Sequence, residues 1–397
     1  MKKLLACLLI VAILCSLSIM LFSCDADELK KLEYTNENGE VVTTSIKKTD
    51  DPDKVTAAIC ALANKPVDTT DLSTALLSAS VGLNVAGTQE EQAFACNLAL
   101  NAKVGAGVPT TIKEDATLAE IVNAMKLYAE LGLTGTVPKD IFKAIDDKEI
   151  PNFADTVTLN ESLKAYLDET TLYVKGDVSE DLYTMIPKLA MIQSLCNGKL
   201  QKMDLSIILL ALTKYKATLI DSINMLHDPN NSVIKVVDGV EDIVETFDDD
   251  DEDAKDETPA VQFTYADVKV FVEAFNIQIV KTKGSVATFT ATINADSIAK
   301  INEAFKDREG YEPLDFGDFK GTINIEAAID AKTMMDMSVN ITASNLLTLS
   351  EEEQTASKVT ITSSSLTFNF SISTNCGIPT LSQEEKDSAE VMQSLED

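Results

Sequence analysis

Val286-Ala-Thr-Phe-Thr-Ala-Thr-Ile293 alternates strictly, with Ala287, Phe289, Ala291 and Ile293 on one side and Thr288, Thr290 and Thr292 on the other. Only an extended chain sends every second side chain to the same face, so the run predicts a strand with one packed face and one face in water. Thr322–Ile329 repeats the pattern: Ile323, Ile325, Ala327 and Ile329 oppose Thr322, Asn324 and Glu326. Met334–Ala343 repeats it again, with Met335, Met337, Val339, Ile341 and Ala343 opposite Asp336, Ser338, Asn340 and Thr342. Two longer runs, roughly Asp267–Thr282 and Lys358–Ser373, flank these and read as strands too. In the second, Val359 and Ile361 share the odd-numbered face, whereas Leu366, Phe368, Phe370 and Ile372 share the even one. The apolar side therefore changes around Ser363–Ser365, which predicts a bulge or a strand passing between sheets. A helix over 296–306, capped by Asp296 and striped by Ile298, Ile301, Ala304 and Phe305, is expected to lie across the apolar side.

Upstream, from Asp53 to Phe247, the period reads as helical. Thr88…Glu91, Thr117…Glu120 and Thr158…Glu161 carry capping-box spacing, in which a hydroxyl and a carboxylate three residues on satisfy two free backbone amides. After Thr117, the residues Leu118, Ile121, Val122, Met125 and Ala129 recur on one face, with Gly132 and Gly135 as stops. Asp204 reads as the cap of a longer helix ending at His227-Asp228-Pro229, because proline disfavours helix in the residue before it. Further helices are expected near 53–64, 71–82, 138–148, 179–196 and 232–246, and no repeat of solenoid length is present.

The fold class that follows is α+β. An irregular helical bundle over 53–247 precedes an antiparallel β-sheet domain over 260–375 with one or two packed helices. Between them, residues 237–257 hold 12 acidic side chains and one basic one, Lys255, so 248–259 reads as an extended acidic linker. An EF-hand loop starting at Asp249 would need glycine where Ala254 stands and glutamate where Ala260 stands, so calcium binding is disfavoured. Before the bundle, 24–52 reads as a tether with a hairpin from Leu32 to Ile46 around Asn38-Gly39. After the sheet, 376–397 reads as a tail with a short amphipathic helix, capped by Ser382 with Glu385 and striped by Ala389, Met392 and Leu395.

At the start of the chain, Lys2 and Lys3 precede an uncharged apolar stretch, Leu4 to Ser23, and then Cys24-Asp25-Ala26-Asp27-Glu28. This resembles the signal peptide of a bacterial lipoprotein, with Leu21-Phe22-Ser23-Cys24 standing where that family carries its lipobox. Phe22 departs from the small or β-branched residue usual there. The resemblance covers residues 1–24 only. It implies removal of 1–23, lipidation of Cys24 with acyl chains such as palmitate, and attachment to a membrane of the cell envelope, periplasmic or surface-exposed. An uncleaved apolar anchor is the other reading of the same stretch. Asp25, Asp27 and Glu28 resemble an acidic surface-export tag, and read equally as a solvated spacer.

Composition removes several functions. The formal charge of −31 becomes −33 when the two lysines of residues 1–23 are lost, which opposes nucleic-acid binding. Arg308 is the only arginine and His227 the only histidine, so His-His metal sites are excluded and a histidine triad would have to use His227, read here as a helix end. Nucleophile-elbow, zinc-protease, phosphate-loop and dinucleotide motifs do not occur. No catalytic, cofactor or metal residues are therefore assigned. Cys60 and Cys96 are the preferred disulfide pair, because both fall in the helical region; buried free thiols are the alternative, for them as for Cys196 and Cys376.

The expected function is that of a membrane-anchored, non-catalytic binding, interaction or structural module with a protein or envelope partner. The alternative is a carrier of a lipid or other hydrophobe in the β-rich domain, and the third is an enzyme. A carrier needs apolar walls not already used in packing. The strands over 286–343 show one apolar face, with helices to cover it, which favours the interaction module.

Overall fold

The computed structural model describes residues 29–392 except 37, 64–66, 70, 110–111, 114, 148, 190–192, 194–195, 207, 209–211, 228–232, 235–263, 309–312, 314–320, 333, 346–348 and 350. Cys24, the acidic run 248–259 and nearly all of the helix expected at 232–246 lie outside the described residues.

The hairpin expected at Leu32–Ile46 forms, as β1 (Lys30–Thr35) and β2 (Val41–Ser45), and is followed by α1 (Pro52–Ala63) and β3 (Val67–Asp68). Next come β4 (Thr74–Gln89), β5 (Gln92–Gly107), α2 (Leu118–Met125), β6 (Tyr128–Pro138), α3 (Ile141–Asp147), β7 (Thr156–Asp168) and β8 (Thr171–Asp177). They lead to α4 (Glu180–Met185), β9 (Asn197–Asp204), α5 (Lys216–His227) and β10 (Val233–Ile234). The rest is α6 (Tyr265–Ala274), β11 (Gln278–Lys283), β12 (Val286–Ile293), α7 (Ala295–Phe305), β13 (Thr322–Asp330) and β14 (Met337–Ser344). Last are α8 (Glu351–Ser357), β15 (Val359–Thr374), α9 (Gln383–Ser388) and β16 (Glu390–Val391).

The helical bundle expected over 53–247 is therefore corrected to a mostly β architecture. Of its three capping boxes only Thr117 with Glu120 caps a helix, with Glu120 N donating to Thr117 Oγ1 at 3.2 Å and Thr117 N donating to Glu120 Oε2 at 2.7 Å. That helix stops at Lys126, φ 45°, so Ala129, Gly132 and Gly135 fall in β6. Thr88 and Glu91 belong to the β4–β5 hairpin, and Thr158 and Glu161 to β7. The helix expected at 71–82 is the first half of β4. The misreading has a physical origin: Leu77, Val81 and Val85 recur every fourth residue, a spacing that returns to one face in a strand and to within about 40° of it in a helix.

Individual elements differ as well. Asp267–Thr282 is not a strand throughout: α6, capped by Thr264 and Asp267, precedes β11. The cap of α7 is Asn294, two residues before Asp296. Asp204 ends β9, and its Oδ1 accepts from Ser206 N at 2.8 Å; Ser206 and Ile208 are helical, and after residues outside the described ones the chain is helical again from Leu212 to His227. The tail helix forms on its Ser382–Glu385 capping box but ends at Ser388, after which β16 pairs parallel with β9. By contrast, the bulge expected around Ser363–Ser365 is present, where pairing steps from Ile361 with Gly87 to Ser363 with Ala86.

The contiguous division into a helical and a β domain is also replaced. Two units interleave in sequence, one joining the chain up to Asp71 with Asp228–Val339, the other joining Leu72–His227 with Asn340–Asp397. In the first, β11–β12–β13 form antiparallel pairs, with Phe289 facing Ile279 and Ala327 in register. The apolar side of these strands is closed: Ile279, Ala287, Phe289 and Ile329 pack with Val55, Ala58 and Leu62 of α1 and Val272 of α6. Phe271 of α6 meets Phe305 of α7 with ring centroids 5.3 Å apart. In the second unit the strand order is β15–β4–β5–β6–β7–β8–β9–β16, antiparallel except for the last pair.

Candidate functional site: an open apolar sheet face

Residues directly opposite in an antiparallel ladder share a face, so the register of the second unit assigns each side chain a side. Ile372 lies opposite Leu77, Leu77 opposite Val104, Val104 opposite Ala129 and Ala129 opposite Ala165. Two residues along, Phe370, Ala79, Ala102, Leu131 and Leu163 form the next row. After it comes the row Phe368, Val81, Leu100, Leu133 and Glu161. One face of β15, β4, β5, β6 and β7 is thus apolar across its width, apart from Glu161.

Covering elements close one end of this face. Leu98, Leu133, Val137, Val157 and Leu159 pack with Ile141 and Phe142 of α3 and with Leu182 and Met185 of α4. Phe94 stacks on Phe153 at 4.0 Å between ring centroids, and Gln89 accepts from Phe153 N at 2.8 Å. Beyond that end the face is open: Leu77, Val81, Leu83, Leu100, Val104 and Leu131 are all exposed, Val104 by 54% and Leu131 by 47%. An exposed apolar patch contiguous over adjacent strands marks a surface that meets a ligand, a partner or a membrane.

Glu161 is buried where the open face meets the covered end. Its carboxylate accepts from Ser179 N at 2.5 Å and Ser179 Oγ at 2.7 Å, and Ser179 in turn caps α4 by accepting from Leu182 N. Glu161 therefore holds α4 in place through its capping residue. Glu161→Leu is expected to leave the Ser179 donors unsatisfied and to cost about 1–3 kcal/mol, read by chemical denaturation, with amide exchange rising first in α4.

The opposite face is polar. Lys103 of β5 and Lys164 of β7 flank Glu130 of β6 at 3.5 and 3.3 Å, and Tyr128 OH donates to Glu130 at 2.7 Å. The Tyr128 hydrogen bond and these lysines hold the Glu130 carboxyl below the usual carboxylate range, while burial and Glu130 push the Tyr128 hydroxyl up. Asn340 donates to Asn369 at 2.6 Å, and Asn369 to Ser80 at 3.0 Å, across the same side.

The residues singled out from sequence are not brought together. Cys60 lies on α1 and Cys96 on β5, so the shared helical region behind their expected pairing does not exist; both are free thiols, as are Cys196 and Cys376. His227 is the last residue of α5, as expected of a helix end. Burial pushes the Cys60 thiol from its ordinary 9.0 up to about 11. An unfolded chain loses that proton near pH 9 while the folded one keeps it, so this contribution is whole below pH 9 and is lost as pH rises to about 11. Cys60→Ala is expected to flatten that limb of the stability–pH curve by up to about 1.4 kcal/mol per pH unit, measured by denaturant titration.

Among the described residues, no group of three or more histidine, cysteine or acidic side chains is placed to hold a metal ion. No helix among them is long and apolar enough to cross a membrane. Compared with known proteins, the chain matches no family model and no curated protein.

Proposed function

We propose that the protein is a lipid-anchored component of the bacterial envelope, tethered through Cys24, that binds acyl chains on its open apolar sheet face and performs no catalysis. The observation that carries this reading is the exposure of Leu77, Val81, Leu83, Leu100, Val104 and Leu131 on one side of three adjacent strands. These are the apolar walls not used in packing that a carrier requires, and they lie on β4, β5 and β6 rather than on the strands over 286–343.

The dimensions suit the ligand. Three strands spaced about 4.8 Å apart and six residue rises of about 3.3 Å give a surface of roughly 300 Å². At about 25 cal/mol per Å², covering it yields on the order of 10 kcal/mol before association costs are subtracted. A protein partner is a poorer occupant. Protein interfaces carry about one hydrogen bond per 100–200 Å², and this face offers aliphatic and phenyl groups over backbone already paired within the sheet. Adsorption to an anionic bilayer is opposed by the formal charge of −31.

The test uses the chain from Asp25 onward, which retains every described residue. Organic extraction and mass spectrometry of the purified protein should release a stoichiometric acyl-containing compound, and a fluorescent acyl probe should bind once that compound is removed. A protein that carries no lipid and ignores the probe would refute the reading. Incorporation of labelled palmitate into the full chain, lost in Cys24→Ala, checks the tether separately.

A further inference from the structure

The placement of charge around the open face selects among amphiphiles, an inference that rests on the acyl-chain reading above. We propose that the site takes an amphiphile whose polar end bears no negative charge, and discriminates against an anionic one of equal chain length. The register supplies the first reason. On the strands that form the open face, the only acidic or basic side chain pointing to the apolar side is Glu161, a carboxylate; the other titratable group there is the Cys96 thiol. Lys103 and Lys164 lie on the polar side and are shared by Glu130. Lys175, opposite Lys164 in register, is on the polar side with them.

Three cations at the margins are paired. Lys139 pairs with Asp155 at 2.9 Å beside α3, Lys358 pairs with Glu90 at 3.0 Å at the β4–β5 hairpin, and Lys386 pairs with Asp168. An anionic headgroup entering this face therefore meets no counter-ion of the sheet, a fixed carboxylate, and the long-range repulsion of a chain whose formal charge is −33 without Lys2 and Lys3. An uncharged or cationic headgroup meets none of these penalties, and its chain gains the same apolar contact.

Displacement of a neutral fluorescent acyl probe from the chain starting at Asp25 tests this, with dodecanol and laurate compared at neutral pH. Dodecanol should displace the probe at about tenfold lower concentration than laurate in low salt, and added salt should narrow the gap. Glu90→Gln combined with Asp155→Asn, which releases Lys358 and Lys139 from their ion pairs outside the apolar rows, should narrow the gap between laurate and dodecanol while leaving dodecanol unchanged. Equal displacement by the two ligands in the unmodified protein, or better displacement by laurate, overturns the charge selectivity and leaves acyl-chain binding standing. Failure of both ligands to displace a probe that does bind overturns the selectivity proposal, and failure of the probe itself to bind refutes the acyl-chain reading beneath it.

Discussion

Leu100→Asp combined with Leu131→Asp is expected to weaken binding of an acyl probe by at least about a hundredfold while shifting the melting temperature by no more than a few degrees. Both side chains are exposed, by 44% and 47%, so neither substitution opens a cavity or buries a charge in the unliganded protein. They sit on neighbouring strands of the same face, in adjacent rows of the register. Covering either leucine is worth about 1.5–3 kcal/mol, and a carboxylate under an acyl chain must in addition be stripped of water without a partner. Probe titration alongside a thermal melt checks the result. Undiminished binding in a folded double variant would remove the open face from consideration as the site.

Gly135→Ala is expected to cost about 3 kcal/mol or more. Gly135 lies in β6 at φ +149°, a conformation that L side chains rarely adopt. A Cβ there would stand 2.2 Å from Asn97 O and 2.8 Å from Leu98 Cα, both backbone atoms of the neighbouring β5. Backbone held in a ladder cannot retreat without breaking its hydrogen bonds, so the clash spreads along the strand pair. Gly198 provides the comparison: it also has positive φ, 78°, but nothing lies within 4 Å of its added Cβ. Gly198→Ala should therefore cost only the conformational strain, about 1 kcal/mol. Urea titration of the two variants measures the difference, and equal losses would show that the close approach at Gly135 is relaxed cheaply.

The same two strands show why the site was hard to read. Cys96, Leu98, Leu100, Ala102 and Val104 alternate as cleanly as Val286–Ile293 does, yet their small polar neighbours and the nearby capping-box spacings drew the reading toward helix. Thr117–Glu120 and Thr158–Glu161 are equivalent as sequence, and the structure uses one as a helix cap and places the other in a strand. What separates them is a partner: Thr158 and Glu161 pair with Thr136 and Leu133 of β6, and no local signal can report a ladder formed elsewhere. The site was hidden for a second reason. Exposure of Leu100 or Val104 depends on whether a helix covers them, and α3 and α4 cover only one end of the face.

By itself, the sequence determined the features governed by neighbours in the chain. These are the strands Val286–Ile293 and Thr322–Ile329, the bulge in β15, the hairpin at Asn38-Gly39, the caps at Thr117 and Ser382, and the end of α5 at His227. Alternation, capping and turn chemistry act over a few residues, so they are legible there. Only the tertiary structure decided that β4 lies between β5 and β15, whose pairing joins Gln89 to Val359, and that Leu77, Leu100 and Leu131 remain uncovered. Spacings of four residues satisfy both periods, and the choice between them was made by hydrogen-bond partners distant in sequence and by which apolar surfaces found a cover.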